Sequence, residues 1–193
     1  MSATPSARRR LGILAFLAAV VMAVLVWIVA AQSASSASPS MGGVGEADGV
    51  LPDGVTVFDE QHPGVTRLDP ELLAALRAAA TDAARDGIEF VVTSGWRSPA
   101  YQEQLLTEAI AEYGSEAEAA RWVATPETSA HVSGDAVDIG PAAAFAWLSG
   151  YGAAYGLCQT YGNELWHYEL RPDAVEHGCP AMYADPTEDP RMQ

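Results

Sequence analysis

The 193-residue chain carries ten arginines, no lysine and 25 acidic residues, for a formal net charge of −15. Arg8, Arg9 and Arg10 precede every acidic residue, so the part after residue 45 holds seven arginines against 25 acids, or −18. A surface of that sign excludes a grip on nucleic-acid phosphates, which needs a basic footprint, and the length, less two atypical ends, leaves one domain of about 130 to 140 residues.

Residues 1–10 form a basic n-region, followed by an uncharged, largely apolar run of 21 residues from Leu11 to Ala31. As a helix rising 1.5 Å per residue, that run spans a hydrocarbon core of about 30 Å. Arginines on its near side place residue 32 onward outside the cytoplasm. The run reads as an uncleaved transmembrane anchor; a signal segment cut among the small residues Ala31–Ala37 is the alternative. The expected location is therefore the cell membrane with the folded part outside, or secretion after cleavage. Residues 32–54, rich in Ser, Ala and Gly, read as a flexible spacer.

The folded domain is expected over residues 55–183. Asp69-Pro70-Glu71 supplies a cap, an early proline and an early acid for a helix that runs to about Arg85 and stops before Gly87. Ile88 to Thr93 reads as a buried strand whose end delivers Ser94-Gly95-Trp96-Arg97 into a loop. Ser98-Pro99 opens a second helix to about Tyr113, with Leu105, Leu106, Ala109 and Ile110 as its apolar stripe, and a third covers about Glu116 to Val123. After the turn at Pro126–Ser129, Ala136 to Ile139 reads as a short strand entered through Gly134. A helix over about Ala142 to Gly150 follows Pro141, and Tyr151 to Tyr161 continues through a helix and a strand. Residues 184–193, with two prolines and several charges, read as a disordered tail. The sum is an α+β domain with a small antiparallel sheet flanked by helices.

Three residues carry the chemistry. His131, Asp138 and His167 offer two imidazoles and one carboxylate, a set that suits a zinc ion with its fourth position open to water. Such a centre acidifies bound water and polarises a carbonyl, and still needs a group to move the proton. Glu164, three residues ahead of His167, is the candidate base and acid. A regular strand through both would place them on opposite faces, so either the strand starts after Glu164, with Gly162-Asn163 as a turn, or a bulge re-aims the side chain. Cys158 and Cys179, in an exported domain, pair as a disulfide; closing a loop of about 20 residues contributes roughly 3 kcal/mol.

Three motifs, Ser94-Gly95-Trp96-Arg97-Ser98 with Gln102, Ser129-x-His131-x-x-Gly134-x-Ala136-x-Asp138, and Glu164-x-Trp166-His167, occur in that order over roughly residues 55 to 180. Together they resemble the zinc D-alanyl-D-alanine carboxypeptidases of the VanY type, the M15 peptidases. The chain differs from the usual pattern in Trp96, in Leu165 and in the stretch Tyr168-Glu169-Leu170. The resemblance implies that His131, Asp138 and His167 bind Zn2+, that Glu164 is the catalytic acid and base, and that Arg97 stabilises the oxyanion. It sets Gln102 and Ser129 near the substrate. The implied partner is a peptidoglycan stem peptide, cut at its terminal D-Ala-D-Ala bond. The alternatives are cutting at an L-Ala-D-Glu or cross-bridge bond, or non-catalytic wall binding.

Overall fold

Helices and four short strands, joined by loops, build residues 43–192, the part of the chain that the computed structural model describes. In chain order they are α1 (Pro63–Thr66), α2 (Pro70–Ala83), β1 (Val91–Ser94), α3 (Pro99–Tyr113), α4 (Glu116–Ala119), α5 (Ala130–Ser133), β2 (Ala136–Gly140), α6 (Ala142–Tyr151), β3 (Leu157–Gln159), β4 (His167–Leu170) and α7 (Ala174–His177). The four strands form one sheet in the order β1-β2-β4-β3, with every neighbour antiparallel. This is the α+β class expected from the sequence. The apolar run 11–31 lies outside the described residues, and no helix among the described residues is long and apolar enough to cross a membrane.

Cap chemistry sets the two long helices. Asp69 accepts from the backbone N–H groups of Glu71 and Leu72 at 2.9 and 3.0 Å, ahead of Pro70 at the first helical position, and Ser98 accepts from Tyr101 at 3.1 Å ahead of Pro99. Both satisfy donors that the first turn leaves free. Strand β1 begins three residues later than the apolar run suggests. The N–H of Ile88 is spent on the Ala83 carbonyl at 3.0 Å, closing the end of the preceding helix over Gly87 in its left-handed conformation.

The core lies between α2 and the sheet. Leu72, Leu76, Ala79 and Ala83 meet Val92, Val137, Ile139, Leu157 and Tyr168, with Ala144 and Leu148 of α6 closing one side. Alternation along β2 turns Val137 and Ile139 into this core and leaves Asp138 on the opposite face of the sheet. The disulfide Cys158–Cys179 forms, tying β3 to the segment after α7 across a separation of 21 residues.

Both ends of the domain extend past the expected limits. Residue 48 is already tied in, because Ser98 donates through its backbone N–H to the Asp48 carbonyl at 2.7 Å and through its hydroxyl to the Asp48 carboxylate at 2.8 Å. The stretch after residue 183, read as disordered, instead forms two 3-10 turns, Pro186–Glu188 and Pro190–Met192. It is held by Arg121 on Asp185 at 2.8 Å and by Arg191 on Glu169 at 2.6 Å. Those partners lie 64 and 22 residues away, beyond the reach of any local composition.

Gly134 joins α5 to the start of α2. It adopts φ +88°, its carbonyl accepts from Asp69 N–H at 2.8 Å, and an added Cβ would lie 2.6 Å from the Arg67 carbonyl. Gly134→Ala should therefore lower the unfolding free energy by about 1–3 kcal/mol. Denaturant titration checks this, and a loss within error of zero would show that the junction yields freely.

Candidate active site

The sheet register builds the site. Asp138 pairs with His167 on one side, and with Ser94 on the other, so the end of β1, the middle of β2 and the start of β4 meet in one line across the sheet. Chain leaving β1 at Ser94 then carries Arg97 beside Asp138. His131 reaches the same point from the short helix α5, where the Arg97 N–H donates to its carbonyl at 3.1 Å and its ring Nδ1 lies 2.8 Å from the Gly95 carbonyl.

Those contacts fix which ring nitrogens face inward. A carbonyl oxygen only accepts, so His131 Nδ1 carries the hydrogen and Nε2 keeps its lone pair. In His167 the assignment is reversed. Nε2 donates to the Glu169 carboxylate at 3.4 Å and Nδ1 faces the cluster. His131 Nε2 and His167 Nδ1 lie 3.2 Å apart, and Asp138 Oδ1 is 3.4 Å from the first and 3.2 Å from the second. Ligand atoms at 2.0–2.1 Å from a tetrahedral centre are about 3.3–3.4 Å apart, so these three atoms match one face of a zinc tetrahedron. All three residues are buried, and the three sequence-predicted ligands are thus brought together.

The charges agree with a place built for a cation. Burial, reinforced by the Arg97 charge, pushes His131 below its ordinary value, which keeps it neutral. Burial alone would raise Asp138, yet His131, His167 and Arg97 outweigh it and hold the carboxyl well below the usual range. Burial would lower His167, yet hydrogen bonds to Asp138 and Glu169 push it up to about 9, so without a metal ion Nδ1 also carries a proton directed at Asp138, which a bound cation would displace.

Glu164 sits in the turn before β4, which begins at His167, so the first of the two sequence alternatives holds. The His167 N–H donates to the Glu164 carbonyl at 3.0 Å, and this fold-back brings both side chains to one cavity. Glu164 Oε2 is 3.9 Å from His167 Nδ1, while Oε1 is buried with no hydrogen-bond partner. Burial, with the Asp138 charge adding to it, raises its pKa to about 7 against the opposing charges of His167 and Arg97. A carboxyl poised near neutrality can both take and return a proton.

Arg97 is held on three sides. It donates to Ser94 Oγ at 2.8 Å, to Gln102 Oε1 at 3.2 Å and to Asp138 Oδ2 at 3.0 Å, which leaves two of its five N–H groups for other partners. Gln102 also donates to the Ala124 carbonyl at 2.9 Å. Its amide is thus occupied in fixing Arg97. Ser129 stands at the N-terminus of α5 without capping it and lines, with Gln102, a cleft of about 310 Å³ that contains all five of the central residues.

Sequence reasoning missed Glu169, which orients His167, and Arg191, Asp189 and Tyr161 behind it. Glu169 had a signal in the sequence, since two residues along a strand from His167 share its face. Arg191 had none.

A family model described as VanY, D-alanyl-D-alanine carboxypeptidase, matches residues 65–173. The D-alanyl-D-alanine carboxypeptidase of Enterococcus faecalis (strain ATCC 700802 / V583) is 31% identical over 134 residues, 56% of this chain and 50% of that protein. The chain therefore spans about half the length of the curated relative it matches. Among solved structures, a mutant of the vancomycin resistance D,D-pentapeptidase VanY from a VanB-type cassette, in complex with Zn(II), is similar at TM-score 0.53 and 28% identity, over 57% of this chain and 75% of that one. VanYB in complex with D-alanine-D-alanine is similar at TM-score 0.55 and 28% identity, over 66% and 83%. The LdcB LD-carboxypeptidase shares the fold at TM-score 0.53 and 24% identity, over 72% of each chain.

Glu164 makes stability depend on pH. Its carboxyl binds a proton more tightly folded, at about 7, than at its ordinary 4.5, so the associated stability is complete below 4.5 and is lost as pH rises through 7. Glu164→Gln carries no such charge. In chelator-treated protein, the stability of Glu164→Gln relative to the parent should be greater at pH 8 than at pH 4.5 by on the order of 1–3 kcal/mol. Denaturant titrations at the two values test it, and a difference that ignores pH would refute the burial argument.

Proposed function

The chain belongs to the VanY family of D-alanyl-D-alanine carboxypeptidases, matched over residues 65–173, and from that we propose that it is a zinc-dependent peptidase that releases the terminal D-alanine of peptidoglycan stem peptides. One observation carries the reading most directly. Three potential ligand atoms of His131, Asp138 and His167 meet at 3.2–3.4 Å spacing beside a buried carboxyl oxygen without a partner.

His131 Nε2, Asp138 Oδ1 and His167 Nδ1 would hold the ion. Zinc bound there supplies the charge that acidifies a water and polarises an amide carbonyl. Glu164 takes the proton of the attacking water and passes it to the leaving amine, two transfers that a carboxyl near pH 7 serves equally. Arg97, with two N–H groups uncommitted, offers positive charge to the carbonyl oxygen as it becomes an anion. Gln102 keeps the guanidinium in place, and Ser129 presents its hydroxyl at the cleft wall to the peptide.

The same reading places the enzyme outside the cytoplasm, tethered by residues 11–31 or released from them. The disulfide agrees with an exported enzyme, and in the cleft Arg97 offers positive charge toward a peptide that ends in a carboxylate. D-alanine-D-alanine bound to VanYB and Zn(II) bound to the VanY mutant support the substrate and the metal by family likeness.

A digest of defined pentapeptide muropeptides, read by mass, tests this. Loss of a single D-alanine is expected, abolished by chelator and restored by added zinc; an internal cut would reassign the enzyme as an endopeptidase, and no product from zinc-loaded protein would leave a wall-binding module. Glu164→Gln should lower kcat about 10²–10⁴-fold, and Arg97→Ala about 10²–10³-fold. Equal small losses in these and in an exposed control such as Arg85→Gln would end the assignment.

A further inference from the structure

We propose that Arg191 is a positioning residue of the metal centre, acting through Glu169 to fix the ring of His167. This rests on reading the cluster as a zinc site. Arg191 lies outside the stretch 65–173 that the family model matches.

Glu169 is 1% exposed, and a carboxylate so placed needs partners that replace its water. Arg171 reaches it once, on Oε2 at 2.8 Å. Arg191 grips both oxygens, with Nη1 on Oε2 at 2.6 Å and Nη2 on Oε1 at 3.1 Å. Oε1 is the oxygen that accepts from His167 Nε2. Only Arg191, of the two, therefore holds the atom that sets the tautomer and orientation of the ligand ring, and its planar fork suits the task in a way a point charge does not.

A second connection runs from the same guanidinium. Arg191 Nε lies 3.0 Å from both oxygens of Asp189, a residue with no exposed surface. Asp189 accepts from the Tyr161 hydroxyl at 3.0 Å, and the Tyr161 ring packs 5.2 Å from that of His167. The imidazole is thus braced at its edge by Glu169 and on its side by Tyr161, and both braces end on one arginine. Without it, Glu169 is left to Arg171 and the His167 N–H, and Asp189 to the Tyr161 hydroxyl and the backbone N–H of residue 191. Glu169 can then turn toward Arg171, and the His167 N–H loses the acceptor that keeps Nδ1 aimed at Asp138 and His131.

Zinc affinity of the full chain, measured by chelator competition, tests the idea apart from turnover. Arg191→Gln should bind zinc about tenfold more weakly, as expected when a partner behind a metal-binding histidine is lost, and cobalt bound in its place should show weaker visible bands from a distorted tetrahedron. Arg191→Lys should recover part of the loss, and Arg85→Gln should stay within twofold. Affinity within twofold and an unchanged cobalt spectrum in Arg191→Gln would overturn the proposal. If that variant fails to fold, Glu169→Gln reads the same link: about tenfold weaker binding supports it and unchanged binding overturns it. The double variant should be no worse than the weaker single one, whereas full additivity would show that Arg191 acts elsewhere. A parent chain that takes up no zinc overturns the site reading and this inference with it. Tight binding by the parent with Arg191→Gln its equal overturns this inference alone.

Discussion

The pairing of Asp138 with His167 across β2 and β4 is the constraint on which the rest depends. Side chains alternate along a strand, so a slip of one residue would send His167 into the core and bring Tyr168 to the cluster. The register is held from the other face, where Val137 lies opposite Tyr168 and both are fully buried. Hydrophobic packing thus fixes the geometry of the His131, Asp138 and His167 cluster from the opposite face of the sheet. The third strand of the line follows from the same pairing, because Ser94 opposite Asp138 sets where the Arg97 loop leaves the sheet.

Charge is arranged with the same economy. Of the seven arginines after residue 45, Arg77, Arg85, Arg97, Arg121, Arg171 and Arg191 pair with acids, and Arg67 lies over the Trp96 ring at 4.2 Å. The acidic exterior is accordingly left largely unneutralised. Inside the cleft, Arg97 is the arginine that faces the central cluster, and its charge is shared with Asp138. A cation held by His131, Asp138 and His167 would therefore dominate the local field, and an anionic group entering the cleft would find its attraction there and little elsewhere.

Much of this was legible in the sequence, and unevenly so. His131, Asp138 and His167 could be named because ligand identity is a matter of residue type, and Asp69-Pro70 and Ser98-Pro99 could start helices because caps act within three residues. Glu164 could be named and given two placements, since strand periodicity alone would set it on the wrong face, and the turn ahead of β4 is the one that holds. Gln102 was set near the substrate, and it lines the cleft while its amide also holds Arg97 and the Ala124 carbonyl; spacing in a motif does not say how a side chain divides its bonds. The stretch after residue 183 was misjudged for a related reason. Its prolines and charges resemble a disordered tail when read locally, but Arg191 and Asp185 find their partners in β4 and beyond α4, and burial of an ion pair is decided by the distant partner.

The placement of Glu164 separates two kinds of work. Two of the three proposed ligand residues stand on hydrogen-bonded strands and the third on a helix whose end is locked by Gly134, so their positions are set by the regular structure. A base placed on the same strands would be held as rigidly and would be drawn into the ligand set. Glu164 instead comes from a turn, with one oxygen 3.9 Å from His167 Nδ1 and the other without a partner. Burial raises its proton affinity, and the free oxygen lets the proton come and go without breaking a bond to the protein. In the proposed reaction, that combination would keep a carboxyl beside the cluster as a proton carrier rather than a fourth ligand.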